Sequence, residues 1–337
     1  MAEPTKKVTR ADVARHAGVS ETIVSYVVNN NRYVDQKKRE RVEAAIKELH
    51  YRPNMIARVL KGKQSLNLAF IADNIANEHF NLLVAEMEKA AYNKGYMISL
   101  CKNRNTKEFV SEIISRQYDG IIINSLSFPE EYIEEFIAMN IPVILFHNRD
   151  FSPSLGRAAQ IDTGLYQGAR DCVAHLAARG RKHILYLDRF SANHHFSNLQ
   201  DLRYRGYVEQ LQACGLAAED GYFISGCRNE QEVSDKLRAV LAAHPEVDGI
   251  MGRNDTLACI AIHTLHEMKL SVPEDIAVIG FDNSNLSKYI MPTLTTVEID
   301  RISIGQAVVD TLSQMIEGKD VLPVQTFPAR LVIRKSS

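Results

Sequence analysis

The sequence predicts an α/β protein that carries a small all-helical module at its amino-terminal end. The 337 residues are 45% hydrophobic and 24% charged, which is typical of globular chains of two or three domains. Residues 1–62 hold thirteen Lys or Arg and seven Asp or Glu, a net charge of +6, whereas the whole chain carries −1. From Leu66 onward, apolar runs alternate with amphipathic helical stretches. A cationic head on an anionic body is typical of a segment that meets a polyanion, although a small solvated domain can also be charged by chance.

A helix-turn-helix is predicted at the start of the chain. Thr9-Arg10-Ala11-Asp12 has the form of a capping box, so a helix is expected to begin there. Gly18 suits the left-handed conformation that ends a helix, and Ser20 is the expected N-cap of a second helix from Glu21 to about Asn29. A third helix is expected from Asp35 to about Leu49. The apolar positions predicted to close this small core are Val13, Ala14, Ala17, Val24, Val28, Val42, Ile46 and Leu49.

The second helix has a polar face on the side away from its valines. Its members are Glu21, Thr22, Ser25, Tyr26 and Asn29. Hydrogen-bonding tips on one helical face, with Lys and Arg nearby, are what a helix needs to contact base edges in a major groove. A helical bundle without a role in nucleic-acid binding is the alternative.

Residues Val8 to Ser65 resemble the DNA-binding headpiece of the LacI/GalR family of bacterial transcription regulators. The matching motifs are D-V-A-x-x-A-G-V-S, V-S-x-V-V-N, R-V-x-A-A-I-x-E-L and Y-R-P-N-x-x-A-R. The resemblance implies that the second helix reads a major groove and that residues 51–64 form a hinge. The DNA contacts predicted in this way are Thr9, Ser20, Glu21, Thr22, Ser25, Tyr26, Asn29, Asn54, Ala57 and Leu60.

Two positions of the headpiece have a specific expected role. In relatives a hinge leucine wedges between base pairs of the minor groove, and Leu60 matches it by position. An ordinary packing role in the hinge is the alternative for Leu60. Tyr26 is a departure, because the family commonly has Arg after V-S in the second helix. Since tyrosine cannot make the bidentate contact of arginine with guanine, the operator is expected to differ at the base pair read there.

The rest of the chain is predicted to form two doubly wound α/β halves. Strands are predicted at 66–72, 96–101, 120–124, 142–146, 158–161, 183–187, 221–225, 248–252 and 276–281. Helical stretches between them include 82–93, 130–139, 165–179, 202–214, 230–243 and 255–268. Continuously apolar strands that alternate with helices indicate parallel sheets covered on both faces. About nine strands favour two sheets over one very large sheet.

This part is similar to the effector-binding core of the same family, which looks like a type I periplasmic binding protein with a ligand cleft between two lobes. The resemblance implies chain crossings near Asp162-Thr163, near Asp282–Thr296 and near Leu322. It also implies ligand contacts, which by motif position are Asn77, Phe80, His147, Asp162, Arg203, Asn254, Asp255 and Asp282. Side chains of this kind suit a sugar or sugar derivative, and for the aspartates a role as helix caps is the alternative.

The same cleft departs from the family pattern at two places. His147-Asn148-Arg149 stands where relatives often have Asp, and Glu78-His79 replaces a frequent Asn-Pro. The added imidazole and guanidinium groups keep an acidic sugar, a phosphorylated ligand or a nucleobase open as alternatives, and side chains that turn outward are a further one.

Several classes of protein are excluded by what the sequence lacks. It has no apolar run of membrane-spanning length and no apolar region of a secretory signal, so a cytoplasmic protein without a membrane partner is expected. The five cysteines are scattered, and His194-His195 and His263-x-x-His266 lack further ligands, so no metal is expected. Neither a phosphate-binding loop, a nucleophile elbow nor a Rossmann glycine triplet is found, so we expect no cofactor and no enzyme.

The sequence therefore predicts an effector-controlled transcription regulator, in which residues 1–50 bind DNA, 51–64 form the hinge and 65–337 bind effector and dimerise. A repressor of a carbohydrate-utilisation operon is the favoured form. A regulator of a non-sugar ligand, or a soluble binding protein, is the alternative. One helix-turn-helix reads one half-site, so a homodimer on double-stranded operator DNA is expected. The chain ends without a leucine heptad, which favours a dimer over a tetramer.

Overall fold

The computed structural model describes residues 8–30, 32–52, 64–75, 78–191, 196–216 and 222–337. The chain divides into two compact units, Met1–Ser65 and Leu66–Ser337. The first unit holds three helices, and the second holds two parallel sheets covered by helices. This is the α/β class that the sequence predicts.

The first unit is a three-helix module. Its helices are α1 (Arg10–Ala17), α2 (Glu21–Asn29) and α3 (Gln36–Glu48). The predicted capping box of α1 is present, and Gly18 ends that helix in the left-handed conformation at φ 64°. Ser20 caps α2 and Asp35 caps α3 through their side-chain oxygens.

The core of the first unit includes two buried residues that were not predicted, Val27 and Ala45, whereas the predicted Val28, Ile46 and Leu49 are half-buried and pack against it. Val24 and Val42 are fully buried as expected. Val27 follows Val24 by three residues, so both lie on the face of α2 that packs on α1 and α3.

The second unit begins with a six-stranded sheet, which we call the first lobe. Its strands are all parallel and run in the order β11-β5-β4-β3-β1-β2. They are β1 (Asn67–Ala72), β2 (Met97–Lys102), β3 (Gly120–Asn124), β4 (Val143–Phe146), β5 (Ala159–Asp162) and β11 (Val324–Thr326). Its helices are α4 (Glu78–Asn93), α5 (Lys107–Ser115), α6 (Glu130–Ala138) and α12 (Arg301–Ile316), with a 3-10 turn at Pro153–Leu155.

The second lobe contains a four-stranded parallel sheet in the order β7-β6-β8-β9. Its strands are β6 (Ile184–Leu187), β7 (Phe223–Ile224), β8 (Gly249–Gly252) and β9 (Ala277–Ile279). An antiparallel pair, β10 (Thr296–Glu298) and β12 (Arg330–Val332), extends it through a bridge between Ile279 and Thr295. The helices are α7 (Leu165–Ala178), α8 (Leu202–Ala213), α9 (Glu230–Ala243), α10 (Asp255–Glu267) and the single turn α11 (Leu286–Tyr289).

The chain crosses between the lobes three times, and two crossings differ from their expected places. The first follows Asp162 as predicted. The second comes after Glu298, because β10 still belongs to the second lobe, and not within Asp282–Thr296. The third lies between Thr326 and Arg330 and not near Leu322, because residues 324–326 still pair with β5. The carboxyl ends of both sets of strands face the region between the lobes, where open α/β sheets bind ligands.

Candidate DNA-binding face and ligand cleft

The predicted polar face of α2 is only partly exposed. Glu21 and Thr22 are exposed, whereas Ser25, Tyr26 and Asn29 are half-buried. The Asn29 amide donates to the Ser25 carbonyl at 2.7 Å and to its hydroxyl at 3.2 Å, so these two side chains are oriented by each other. Thr9 and Ser20 use their hydroxyls to cap α1 and α2.

Tyr26 has a contact that the sequence does not reveal. Its ring packs partly against the three-helix core, and the Arg32 guanidinium lies over it at 5.3 Å from the ring centroid. The expected hinge contacts Asn54, Ala57 and Leu60 lie outside the described residues, as do Asn77 and the pair His194-His195.

A buried ionic cluster lies at the carboxyl ends of the second-lobe strands. Arg203, at the start of α8, stacks on the Phe281 ring at 4.0 Å and approaches the Asp282 carboxylate at 3.8 Å. It also donates to the backbone carbonyl of Arg253. Burial lowers the pKa of Arg203 and raises that of Asp282, even though each charge favours the other. These two predicted residues are therefore brought together.

A second part of the cluster was not predicted. Asp201 accepts from Arg189 at 2.9 Å and from Arg253, and Ser197 donates to Asp201 at 3.0 Å. Burial would raise the pKa of Asp201, but the guanidinium groups of Arg253 and Arg189 hold it below its ordinary value. The signal in the sequence was the charge that directly follows a predicted strand, at Asp188-Arg189 and at Arg253. A buried charge there needs a partner, and the chain supplies it from the loop before α8.

The first lobe contributes a neutral imidazole to the same region. The Nδ1 atom of His79 lies 3.7 Å from Asp282 and accepts from Arg301 at 3.2 Å. Burial, together with the charges of Arg301 and Arg203, lowers the pKa of His79 to about 3. His79 is therefore uncharged at neutral pH and acts as a hydrogen-bond acceptor.

Asn254 and Asp255 are engaged within the protein. Asn254 caps α10 by accepting from the amide of Leu257 at 3.0 Å. The buried Asp255 accepts from the Thr296 hydroxyl at 2.5 Å and from the Ser284 amide at 2.6 Å. It thereby joins α10 to the segment that precedes the second crossing. In this structure Asn254 is therefore the N-cap of a helix.

The other expected ligand residues have different surroundings. Phe80 is a buried core side chain, with its ring 4.9 Å from the ring of Phe70, because it shares the inner face of α4 with Leu83 and Met87. Asp162 accepts from the amide of Gly164 at 2.9 Å in the first crossing. The Nε2 atom of His147 lies 3.7 Å from the Asp150 carboxylate, and its Nδ1 atom is buried without a hydrogen-bond partner.

Further direct contacts link the two lobes near the cleft. Arg205 of α8 forms an ion pair of 2.6 Å with Asp150 of the first lobe. The amide of Leu202 donates to the carbonyl of Asn148 at 3.1 Å, and that of Asn285 donates to Glu78 at 2.9 Å. The two lobes therefore contact each other directly beside the cleft.

Comparison with known proteins identifies both parts of the chain. Residues 9–54 match the family described as bacterial regulatory proteins, lacI family, and residues 173–337 match the periplasmic binding protein-like domain. The chain belongs to the LacI family. The HTH-type transcriptional repressor PurR of Glaesserella parasuis serovar 5 is 28% identical over 339 residues, which cover 97% of this chain and 98% of that relative.

Solved structures of LacI-family proteins agree with the fold. A lac repressor dimer bound to operator and the anti-inducer ONPF has a TM-score of 0.83 and 29% identity, covering 98% of this chain and 99% of that one. A protein described as a periplasmic binding protein/LacI transcriptional regulator from Alkaliphilus metalliredigens QYMF, complexed with D-xylulofuranose, has a TM-score of 0.66 and 25% identity, covering 80% of this chain and 98% of that one.

As a LacI-family protein the chain is a DNA-binding transcriptional repressor and not an enzyme. Among the residues that the structure describes, no helix is long and apolar enough to cross a membrane. In the same part of the chain, no group of three or more His, Cys, Asp or Glu side chains is arranged to hold a metal ion.

Proposed function

We propose that this LacI-family protein represses a carbohydrate-utilisation operon in the cytoplasm and is controlled by a sugar or sugar derivative. Residues 1–50 bind an operator half-site, residues 51–64 form a hinge, and residues 65–337 bind the effector and dimerise. Within 65–337 the effector lies between the two lobes, against the ionic cluster around Arg203 and Asp282.

The observation that carries the effector site is a set of buried polar atoms that lack a hydrogen-bond partner within the protein. These atoms are Nε of Arg203, Oδ1 of Asp282, Oδ1 of Asn148 and Nδ1 of His147. They come from both lobes and lie near the carboxyl ends of the strands. Because an unpaired buried polar atom is costly, such atoms gathered at one cleft indicate a ligand that pairs with them.

The chemistry of these atoms favours a polyhydroxy ligand. Arg203 Nε is a donor, the oxygens of Asp282 and Asn148 are acceptors, and the role of the His147 Nδ1 atom depends on the tautomer of its ring. Hydroxyl groups both donate and accept, so one sugar ring can pair with all of them. The sugar in the related Alkaliphilus structure supports this class of ligand.

A homodimer is proposed on the geometry of DNA recognition. One recognition helix contacts only one half-site, so a palindromic operator needs two headpieces. The lac repressor structure with a similar fold is a dimer bound to its operator, which supports the same arrangement for this chain.

Effector and operator binding are coupled through the lobes. A ligand that pairs with Arg203 and Asp282 on one side and with Asn148 and His147 on the other changes the balance between closed and open lobes. Residues 51–64 transmit this change to the headpiece. Couplings of this kind are typically about 1–3 kcal/mol and act equally in both directions, so operator DNA changes effector affinity by the same factor.

The first test is a thermal-shift screen of the full-length protein against neutral sugars, sugar acids, sugar phosphates and nucleobases. A neutral or modified sugar is expected to raise the unfolding temperature and to change operator affinity, in either direction. Stabilisation by a nucleobase or a simple phosphate alone would contradict the sugar class and leave the repressor class in place.

The second test compares Arg203→Ala with Arg228→Ala. Arg228 is an exposed arginine of the same lobe that pairs with Glu232 at 2.6 Å, so its loss removes the same charge away from the cleft. Arg203→Ala should keep operator binding and lose effector affinity by more than about tenfold, because each lost charged hydrogen bond costs about 1.5–3 kcal/mol. Arg228→Ala should change neither. Retained effector response in Arg203→Ala would contradict the cleft assignment.

A further inference from the structure

The contact between Arg32 and Tyr26 gives the headpiece a positioned guanidinium that the sequence motifs do not assign. The Arg32 guanidinium carbon lies 5.3 Å from the centroid of the Tyr26 ring, and its Nη1 atom is 3.4 Å from the Tyr26 hydroxyl. A guanidinium within about 6 Å of an aromatic ring is attracted by the ring face. Tyr26 packs partly on the core formed by α1, α2 and α3, so the ring offers a fixed support.

The charge of Arg32 is not used inside the headpiece. Within residues 8–30 and 32–52, the structure records no carboxylate partner for Arg32, which is exposed. By contrast, Arg15 pairs with Asp12 at 3.2 Å, and Arg39 contacts Glu43 at 4.0 Å and Asn30 at 3.2 Å. A supported guanidinium that lacks an internal anion is available to an external group.

The position of the pair indicates which group that is. Tyr26 belongs to the polar face of α2, beside the exposed Glu21 and Thr22. The helix α2 itself contains no arginine or lysine. The guanidinium that α2 itself lacks is thus supplied from the segment after the helix and held on the Tyr26 ring.

We propose that Arg32 is a specificity-determining residue of the repressor, which contacts a guanine in each operator half-site, and that Tyr26 is its positioning residue. This inference rests on the proposed role of α2 in operator reading. A guanidinium donates two parallel hydrogen bonds to O6 and N7 of guanine, a geometry that an ammonium group cannot reproduce. The tyrosine ring limits the orientations of the guanidinium, and this is what makes the contact selective.

The experiment first selects preferred sequences from a random duplex pool with the full-length wild-type protein. The binding profile and affinity at one salt concentration are then measured for Arg32→Ala, Arg32→Lys, Tyr26→Ala and Tyr26→Phe. Arg15→Ala is the matched control, because Arg15 is an exposed headpiece arginine that already forms an ion pair with Asp12 of α1.

Arg32→Ala and Arg32→Lys should both reduce the preference for one symmetric pair of guanines by about 5- to 100-fold, the range of one bidentate base contact. Tyr26→Ala should reduce the preference for guanine at the same pair of operator positions. Tyr26→Phe keeps the ring and should stay within about twofold of the wild type. Arg15→Ala should leave the profile unchanged.

Three outcomes would overturn the inference. One is an unchanged profile in Arg32→Ala. Another is restoration by Arg32→Lys, since charge alone would then explain the contact. The third is equal weakening on all sequences with a shallower salt dependence, which marks a phosphate contact. If Tyr26→Ala fails to fold, the Arg32 variants and Tyr26→Phe still decide the case. Failure of the wild type to prefer any sequence would instead contradict the proposed function.

Discussion

Asp255 is a buried carboxyl group whose ionisation is opposed by its surroundings. Burial, assisted by the nearby charge of Asp282, raises the pKa of Asp255 to about 7. Its hydrogen bonds from Thr296 and Ser284 act in the opposite direction but do not overcome burial. The folded state therefore favours the protonated form of Asp255, which lies near the junction of the lobes.

This shift predicts a dependence of stability on pH. An unfolded aspartate has a pKa of about 3.9, so the stability associated with Asp255 is fully present below that pH and is lost as pH rises to about 7. Asp255→Asn removes this titration while keeping an amide able to reach both partners. As pH rises from 4 to 7, the unfolding free energy of the variant should therefore increase by a few kcal/mol relative to that of the wild type.

The check is urea unfolding of both proteins across that pH range. The difference between them isolates Asp255 from the other titrating groups. A difference that stays constant with pH would show that Asp255 ionises normally in the folded protein.

At the scale of elements, the start of α1 depends on one reciprocal cap. The Asp12 amide donates to the Thr9 hydroxyl, and the Thr9 amide donates to the Asp12 carboxylate at 2.9 Å. Thr9→Ala should destabilise the headpiece by about 1 kcal/mol, because the first turn loses its side-chain acceptor. Hydrogen exchange of the α1 amides in the free full-length protein measures this loss. Thr9→Ser keeps the hydroxyl and should exchange like wild type; equally fast exchange in both variants would contradict the cap.

The crossing of α7 and α8 depends on a glycine. A Cβ atom added at Gly206 would overlap the backbone carbonyl oxygen of Tyr166 and lie 3.1 Å from the Cβ atom of Ala169. Backbone atoms cannot move aside as a flexible side chain can, so Gly206→Ala should destabilise the second unit by about 1–3 kcal/mol. Thermal unfolding of the full-length protein measures this change.

Gly180→Ala is the control for the crossing. Gly180 has a φ of 84°, and an added Cβ would meet no atom within 4 Å, so this variant carries backbone strain alone. Strain of this kind costs about 1 kcal/mol. A smaller loss for Gly206→Ala than for Gly180→Ala would show that the two helices separate easily.

At the scale of the whole molecule, the two lobes are joined by an ion pair that can be tested directly. The Asp150 side chain is 66% exposed, and its hydrogen bond from Arg205 lowers its pKa. An exposed pair of this kind stabilises by less than about 1 kcal/mol. Because effector binding is proposed to involve both lobes, Arg205→Ala should weaken effector affinity by about 2- to 5-fold.

Calorimetric titration with the effector found by screening measures this change at low and high salt. Asp150→Arg should weaken affinity further, and the exchanged pair Asp150→Arg with Arg205→Asp should recover most of it. Single variants that match the wild type at low salt would show that this pair does not hold the lobes together.

Much of the architecture follows from local sequence. Thr9, Gly18, Ser20 and Asp35 act within a few residues of themselves, so their caps and turns were predictable. The nine long apolar runs became strands because a buried parallel strand needs an uninterrupted apolar run. The missed strands β10, β11 and β12 have the sequences TVE, VQT and RLV, which mix polar and apolar residues, so no apolar run marks them.

Side-chain partners across the fold were decided only by the tertiary structure. Arg203 and Asp282, which motif position singles out, lie close together, whereas the contacts of Asp201 with Arg189 and Arg253 were not predicted because these residues come from separate loops. Burial lowers the pKa of His79, so its imidazole is neutral. Asp255 hydrogen-bonds to Thr296 within the protein, and the packing of α4 places Phe80 in the core. Caps and strands depend on neighbours in sequence, whereas ion pairs, protonation and burial depend on neighbours in space.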